Sequence, residues 1–194
     1  MNLKSGKLIS VAFVLALAAV STPALSQDAG WYGGISFGQS KAKDACTGLV
    51  GLGITCDDTD TALTLFGGYQ INKSFGAELG YVNLGEVSAT GPGGTATIEA
   101  KGFELVGVGT LPINQQFSLF GKLGFFRWDL DASAPGVSIS ESGMDLTYGF
   151  GVKYDFTKNF AVRAYWQQYK DVGDEATTGT SDVEVIGLSA VFKF

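Results

Sequence analysis

The chain has 194 residues, with 13 basic and 19 acidic side chains, and it contains no histidine. The acidic excess excludes the basic surface that nucleic-acid binding requires. The lack of histidine excludes hydrolases that use an imidazole for proton transfer near neutral pH. Glycine is abundant, with 28 residues, whereas proline occurs four times. This composition favours tightly curved β-strands with many small inward positions over a collagen-like or linker-like sequence.

Residues 1–26 are predicted to be a secretory signal peptide. Lys4 and Lys7 form a positive n-region, Leu8 to Val20 is an apolar h-region, and small residues at 22–26 offer a cleavage site before Gln27. The apolar run is short for the roughly 20 residues that a transmembrane helix needs. Residues 27–194 carry 11 basic and 19 acidic residues, a net charge of −8. We expect them to form one domain.

Eight segments alternate apolar residues with small or polar ones, as strands with two different faces do. They predict strands at 30–39, 60–71, 75–86, 97–111, 117–128, 143–156, 159–170 and 183–194. The connections at 72–74, 112–116 and 156–159 are short, whereas those at 40–59, 87–96, 129–142 and 171–182 are longer. This alternation of short and long connections is typical of an all-β fold, the eight-stranded antiparallel up-and-down transmembrane β-barrel, with turns on the periplasmic side and loops outside.

The final strand shows why the apolar face should meet lipid. Its apolar face holds Ile186, Leu188, Ala190, Phe192 and Phe194. An apolar edge strand invites aggregation in a soluble protein. In a membrane barrel the same face contacts lipid, and the strand closes the barrel by pairing with the first one. The predicted location is therefore the outer membrane of a Gram-negative bacterium, and no segment after residue 26 is long and apolar enough to predict a transmembrane helix.

Charged residues on the opposite, inward face predict a network inside the barrel. The five residues are Glu78, Glu104, Lys122, Lys153 and Arg163. An unpaired charge is expensive in a filled lumen, so opposite signs should meet there. A catalytic site made of the two carboxylates is the alternative, but charge compensation is favoured. We expect no catalytic residue, metal or cofactor, and no enzyme activity; the acidic loops could bind divalent cations, although a solvated loop surface is favoured.

Cys46 and Cys56 are the only cysteines, and they lie ten positions apart. Export through an oxidising compartment predicts a disulfide within the first external loop. A catalytic or metal-binding thiol pair is the alternative, but it has no histidine to assist it.

Short motifs in the predicted strands resemble the OmpA-type transmembrane barrel family over Trp31 to Phe194. They are Gly68-Tyr69-Gln70, Ala77-Glu78-Leu79-Gly80-Tyr81, Lys122-Leu123-Gly124, Gly151-Val152-Lys153-Tyr154, Val162-Arg163-Ala164-Tyr165, Val172-Gly173-Asp174 and Phe192-Lys193-Phe194. The resemblance implies that the barrel-assembly machinery reads the terminal strand, with Phe192 and Phe194 as the assembly signal. It covers the barrel alone, so the cell-wall tether of OmpA is not expected here.

These observations predict an integral outer-membrane protein with a structural or surface-interaction role. Its partners would be outer-membrane lipid, lipopolysaccharide and, during biogenesis, the assembly machinery, and we expect a monomer. An eight-stranded barrel is just wide enough to be filled by its own side chains. A narrow gated ion channel is the first alternative. A secreted lipocalin-like binder, suggested by Gly30-Trp31-Tyr32, is the second.

Overall fold

The computed structural model describes residues 29–43, 45–46, 54–92, 94–174 and 179–194, so the predicted signal peptide lies outside the described residues. The strands are β1 (Gly30–Ala42), β2 (Thr55–Asp57), β3 (Thr59–Gln70), β4 (Phe75–Gly91), β5 (Gly94–Pro112), β6 (Phe117–Ala134), β7 (Val137–Asp155), β8 (Phe160–Asp174) and β9 (Gly179–Lys193). In this part of the chain no helix has the length and apolarity needed to cross a membrane.

Eight of these strands form one closed antiparallel ring. Consecutive ring strands pair with each other, and β1 pairs with β9 from Tyr32 opposite Lys193 to Ala42 opposite Val183. The predicted eight-stranded barrel with its first and last strands paired is therefore confirmed. The short strand β2 is not one of the ring strands, and among the described residues it pairs with positions 88–90 of β4. Three residues are too few for an alternation to be read, so the sequence did not predict this strand.

The ring has a turn end and a loop end. At the turn end, each of the three predicted tight turns contains a side chain that accepts backbone N–H groups two and three positions later. Asn72, Asn114 and Thr157 play this part. Such side-chain acceptors replace the hydrogen bonds that the backbone loses as the chain reverses.

Three predicted loops at the other end are wrong. One of them, 171–182, is strand at both described ends, because β8 pairs with β9 as far as Asp174 opposite Gly179. Residues 87–96 and 129–142 are mostly strand, because β4–β5 and β6–β7 continue as hairpins to Gly91–Gly94 and Ala134–Val137. These segments lack an outward apolar face because they lie beyond the outward apolar belt. Cross-strand polar contacts support them instead, including Thr90 with Thr95 and Ser140 with Asp131.

The outward face is apolar, as predicted, with Phe37 57%, Leu65 65% and Phe150 63% exposed. The expectation of a polar interior is correct for the middle of the lumen and wrong towards the loop end. There the inward side chains form a buried apolar cluster of Ala42, Ala62, Val82, Leu84, Ala100, Phe126, Trp128, Leu130, Tyr169, Val172, Val183 and Val185. At Phe125 and Phe126 both faces of the strand are apolar. Period 2 still shows which residues share a face, but the contrast between an apolar outer face and a polar inner face, on which the prediction was based, is absent there.

Candidate functional site

Glu78 on β4 is the centre of a group of buried charges in the lumen. Its Oε1 accepts a hydrogen bond from Arg163 Nη1 on β8 at 2.5 Å, and its Oε2 lies 2.8 Å from Lys122 Nζ on β6. The Tyr32 hydroxyl donates to the same Oε1 at 2.8 Å. The side chains of Glu78, Lys122 and Arg163 are 0%, 8% and 6% exposed. One carboxylate therefore joins strands from opposite parts of the sequence across the lumen.

Glu104 on β5 forms the other half of this group. Its Oε2 accepts hydrogen bonds from Gln167 Nε2 at 2.7 Å and from the Tyr169 hydroxyl at 3.1 Å. Its Oε1 lies 3.9 Å from Lys122 Nζ, at the limit of ion-pair contact. Gln167 also donates to the Thr147 hydroxyl at 2.9 Å. Lys122 thus lies between two carboxylates and is much closer to Glu78.

Aromatic rings surround the two cations. The Arg163 guanidinium lies 5.4 Å from the centroid of Tyr32, 5.7 Å from that of Phe66 and 5.1 Å from that of Phe120. Lys122 Nζ lies 5.3 Å from the centroid of Phe66. The electron-rich faces of these rings attract cations and exclude water from the group. Alternation places Tyr32, Phe66 and Phe120 on the inward face, so a strict reading of period 2 would have found them.

Lys153 does not belong to this group, which corrects the predicted five-member network. Its Nζ lies 3.1 Å from Asp155 Oδ2, and Lys193 Nζ lies 2.5 Å from Asp155 Oδ1. Lys153 is opposite Arg163 in the β7–β8 register, yet the two cations contact different carboxylates. The physical reason is local: positions 153 and 155 share one face of the same strand, so Asp155 is always within reach.

The four remaining charges, which we call the lumen network, are Glu78, Glu104, Lys122 and Arg163. Two carboxylates oppose two cations, so the layer is neutral overall. Both Glu78 oxygens and Glu104 Oε2 have a cation, an amide or a hydroxyl within 3.1 Å, whereas Glu104 Oε1 is 3.9 Å from Lys122 Nζ. Among the described residues no group of three or more potential metal ligands occurs.

Cys46 and Cys56 form a disulfide, with their Cα atoms 5.8 Å apart, so this prediction is confirmed. Cys56 belongs to β2, whose partner opposite is Ala89 of β4. The bond therefore ties the first connection to the loop end of the barrel without crossing the ring.

Replacing both cysteines with serine should leave the barrel folded and loosen only the first connection. The bond closes a short segment, so its chain-entropy contribution is about 2–3 kcal/mol and acts on that segment. Limited proteolysis should show faster cleavage between positions 46 and 56, with an unchanged heat-modifiable shift in gel migration. Two free thiols in the untreated wild-type protein, detected by alkylation and mass spectrometry, would contradict the assignment.

The terminal aromatic residues lie on the outside of the barrel at its turn end. Phe192 is outward and its ring packs 5.2 Å from Phe160, and the Phe194 amide donates to the carbonyl of Trp31 at 3.0 Å. Further ring pairs, such as Trp31 with Tyr69, continue this aromatic belt. Aromatic belts of this kind lie at the membrane–water interface of barrels. A role of Phe192 and Phe194 as an assembly signal stays a prediction.

Comparison with known proteins extends these observations. A family model described as the OmpA-like transmembrane domain matches residues 26–194. The chain is 29% identical over 192 residues to outer membrane protein A of Shigella flexneri, covering 96% of this chain and 55% of that protein. Its fold is similar to Neisserial surface protein A, with a TM-score of 0.66 and 14% identity over 86% of this chain and 99% of that one. The N-terminal β-barrel domain of Pseudomonas aeruginosa OprF gives a TM-score of 0.58 and 15% identity, with 87% and 100% coverage.

The chain spans about half the length of the curated relatives it matches. What the match establishes is therefore limited to the barrel. At 14% and 15% identity, the similar solved structures establish the fold alone.

Proposed function

Because the chain belongs to the OmpA-like transmembrane family and lies in the outer membrane, we propose that it is a structural barrel whose lumen is closed by its own charges. The surface-interaction role would belong to its external connections, which would contact molecules outside the cell. The observation that carries this proposal is the pair of contacts at Glu78, to Arg163 at 2.5 Å and to Lys122 at 2.8 Å, all three side chains being buried. No catalytic role is part of it.

The lumen network supports a closed barrel for two reasons. The side chains reach across the ring from β4, β5, β6 and β8, and aromatic rings fill the space around them. Above them, towards the loop end, the buried cluster that includes Phe126 and Trp128 adds a second, mainly apolar layer. A hydrated ion would have to displace both layers to pass.

Basic side chains on the outer surface support lipopolysaccharide as a partner. Lys41 and Arg127 are exposed and outward on the loop half of the barrel, and Lys101 lies between Glu99 and Asp131 at the same level. Arg127 lies opposite Phe103 and Met144, which are both exposed. A cation directly beside an apolar belt is suited to an anionic lipid headgroup at the interface.

The ring itself supports a monomer, because every barrel strand has a partner on both sides and no ring edge is left open. During biogenesis the proposed partner is the barrel-assembly machinery, for which the outward rings of Phe192 and Phe194 would be the contact.

A gated ion path through the same lumen is the second candidate, and the position of Lys122 favours it. Its Nζ is 2.8 Å from Glu78 and 3.9 Å from Glu104, so a small movement would exchange one carboxylate for the other. Arg163 Nε is buried and has no hydrogen-bond partner among the described residues. An unsatisfied donor makes the closed arrangement less stable than a fully bonded one.

Conductance in planar bilayers tests both candidates. Wild-type protein should be closed almost all the time, and Arg163→Ala should raise the open fraction at least about tenfold, which corresponds to roughly 1.4 kcal/mol in the closed–open equilibrium. The physical reason is that the substitution removes both the strongest contact of Glu78 and the bulk that fills the lumen.

Arg127→Ala is the matched control, since it removes an arginine from the outer surface and should not change the conductance. A wild-type barrel that conducts continuously would contradict the closed lumen. Arg163→Ala with the same conductance as wild type would remove the gated path and leave the structural role.

A further inference from the structure

A cavity of about 280 Å³ opens at the loop end of the barrel, inside the ring. It is separate from the lumen network: Tyr169 lies in the apolar cluster beneath the cavity and donates its hydroxyl to Glu104 below. The cavity is therefore closed at its inner end. A closed end suits binding of a molecule rather than its passage.

The wall of the cavity is apolar. Its buried side chains are Ala42, Leu84, Ala100, Leu130, Val172 and Val183. They belong to one cluster with Phe126 and Trp128, which supports them from below. Binding sites for small molecules are mostly apolar concave spaces of about 300–1,000 Å³. At about 280 Å³ this cavity is slightly smaller than that range and suits a single ring or a short alkyl chain.

The rim of the cavity is acidic. Asp58, Asp60 and Glu86 line it, and no basic side chain does so among the described residues. Outside the described ranges, no position after residue 28 is lysine or arginine. Lys43, which follows the cavity-lining Ala42, is 2.6 Å from Glu184, whose hydrogen bond raises the pKa of the lysine ammonium. The described lining of the cavity therefore carries acidic side chains without a basic one beside them.

The position of one rim carboxylate is fixed by the backbone. Asp60 accepts hydrogen bonds from the amides of Thr61 and Glu86 at 2.7 Å each. It packs against Gly85, which has a positive φ of 83° at the bulge in β4, where a Cβ would lie 2.5 Å from Asp60 Oδ2. A carboxylate held in this way is preorganised and would lose little freedom on binding a cation.

From the apolar wall and the acidic rim together, we infer that the cavity binds a small organic cation with an apolar body. The hydrocarbon part enters the cavity, and the ammonium group stays at the rim beside Asp58, Asp60 and Glu86. An anion of the same shape would be repelled, and a neutral molecule would lack the charge contact.

Three molecules with one carbon skeleton test this inference: 4-phenylbutylamine, 4-phenylbutanol and 4-phenylbutyrate. Each is titrated by calorimetry into the refolded protein in zwitterionic lipid nanodiscs, with empty nanodiscs subtracted to remove partition into lipid. The amine should bind saturably at one site, the alcohol more weakly, and the carboxylate not at all.

Two kinds of variant separate the rim from the wall. Asp58→Asn with Glu86→Gln should weaken binding of the amine about fivefold, as expected for the loss of two exposed charge contacts, and leave the alcohol unaffected. Asp129→Asn, which removes an exposed carboxylate from the outward face, is the matched control and should change nothing. Ala100→Leu, or Val87→Phe if the first variant does not fold, fills the cavity and should abolish binding of both molecules.

No saturable binding of the amine would overturn the inference and indicate that the cavity is filled by the chain itself. Equal affinity for the amine and the alcohol would overturn the requirement for a cation. A loss of amine affinity in Asp129→Asn as large as that in the rim variant would do the same. Neither outcome depends on whether the lumen network is a closed plug or a gate, because bilayer conductance is measured separately.

Discussion

Replacing Glu78 with glutamine should lower the free energy of unfolding by about 3–5 kcal/mol, the usual cost of removing one partner from a buried ion pair. The substitution keeps the size and most of the hydrogen-bonding capacity of the side chain. It leaves Arg163 and Lys122 as two buried cations with only Glu104 to offset them. Urea unfolding in lipid bilayers, followed by tryptophan fluorescence, measures the change.

Two further variants make this result specific to charge. Glu86→Gln removes a carboxylate from an exposed position and should change stability by less than about 0.5 kcal/mol. The double variant Glu78→Gln with Arg163→Leu leaves one cation and one carboxylate, Lys122 and Glu104, and should recover at least half of the loss. If Glu78→Gln is as stable as wild type, the lumen network does not stabilise the barrel.

Replacing Gly102 with alanine should destabilise the barrel by about 3 kcal/mol, because the new Cβ would lie 2.0 Å from the carbonyl oxygen of Arg127. Gly102 lies opposite Trp128 in the β5–β6 register, and both residues face inward. The obstacle is backbone, so a change of side-chain rotamer cannot relieve it, and the two strands must separate locally. Compared with wild type, the variant should fold more slowly into vesicles and unfold at a lower midpoint denaturant concentration.

Gly109→Ala on the same strand is the matched control. A Cβ at this position would meet nothing within 4 Å. The substitution should be neutral, or stabilising by up to about 1 kcal/mol, since alanine has less freedom to lose on folding. If Gly102→Ala and Gly109→Ala destabilise the barrel equally, the close approach of β5 and β6 is not the reason for glycine at position 102.

The sequence by itself determined the number of ring strands, their antiparallel order and their outward face. Each of these depends on alternation within about ten residues and on the length of the connection that follows. The disulfide could also be predicted from the sequence, since Cys46 and Cys56 are the only cysteines. The tight turns were visible in the same way, because Asn72 and its equivalents form hydrogen bonds over two or three positions.

The tertiary structure alone decided which charges meet. Alternation placed Lys122, Lys153 and Arg163 on the inward face, but height within the lumen depends on the register of every strand pair around the ring. That register brings Arg163 to Glu78, which is 85 positions away, whereas Lys153 contacts Asp155, two positions away. The apolar cluster and the cavity at the loop end likewise depend on the register around the ring. They depend on which inward side chains reach the same height from non-adjacent strands, and that is a property of the closed ring, not of any one segment.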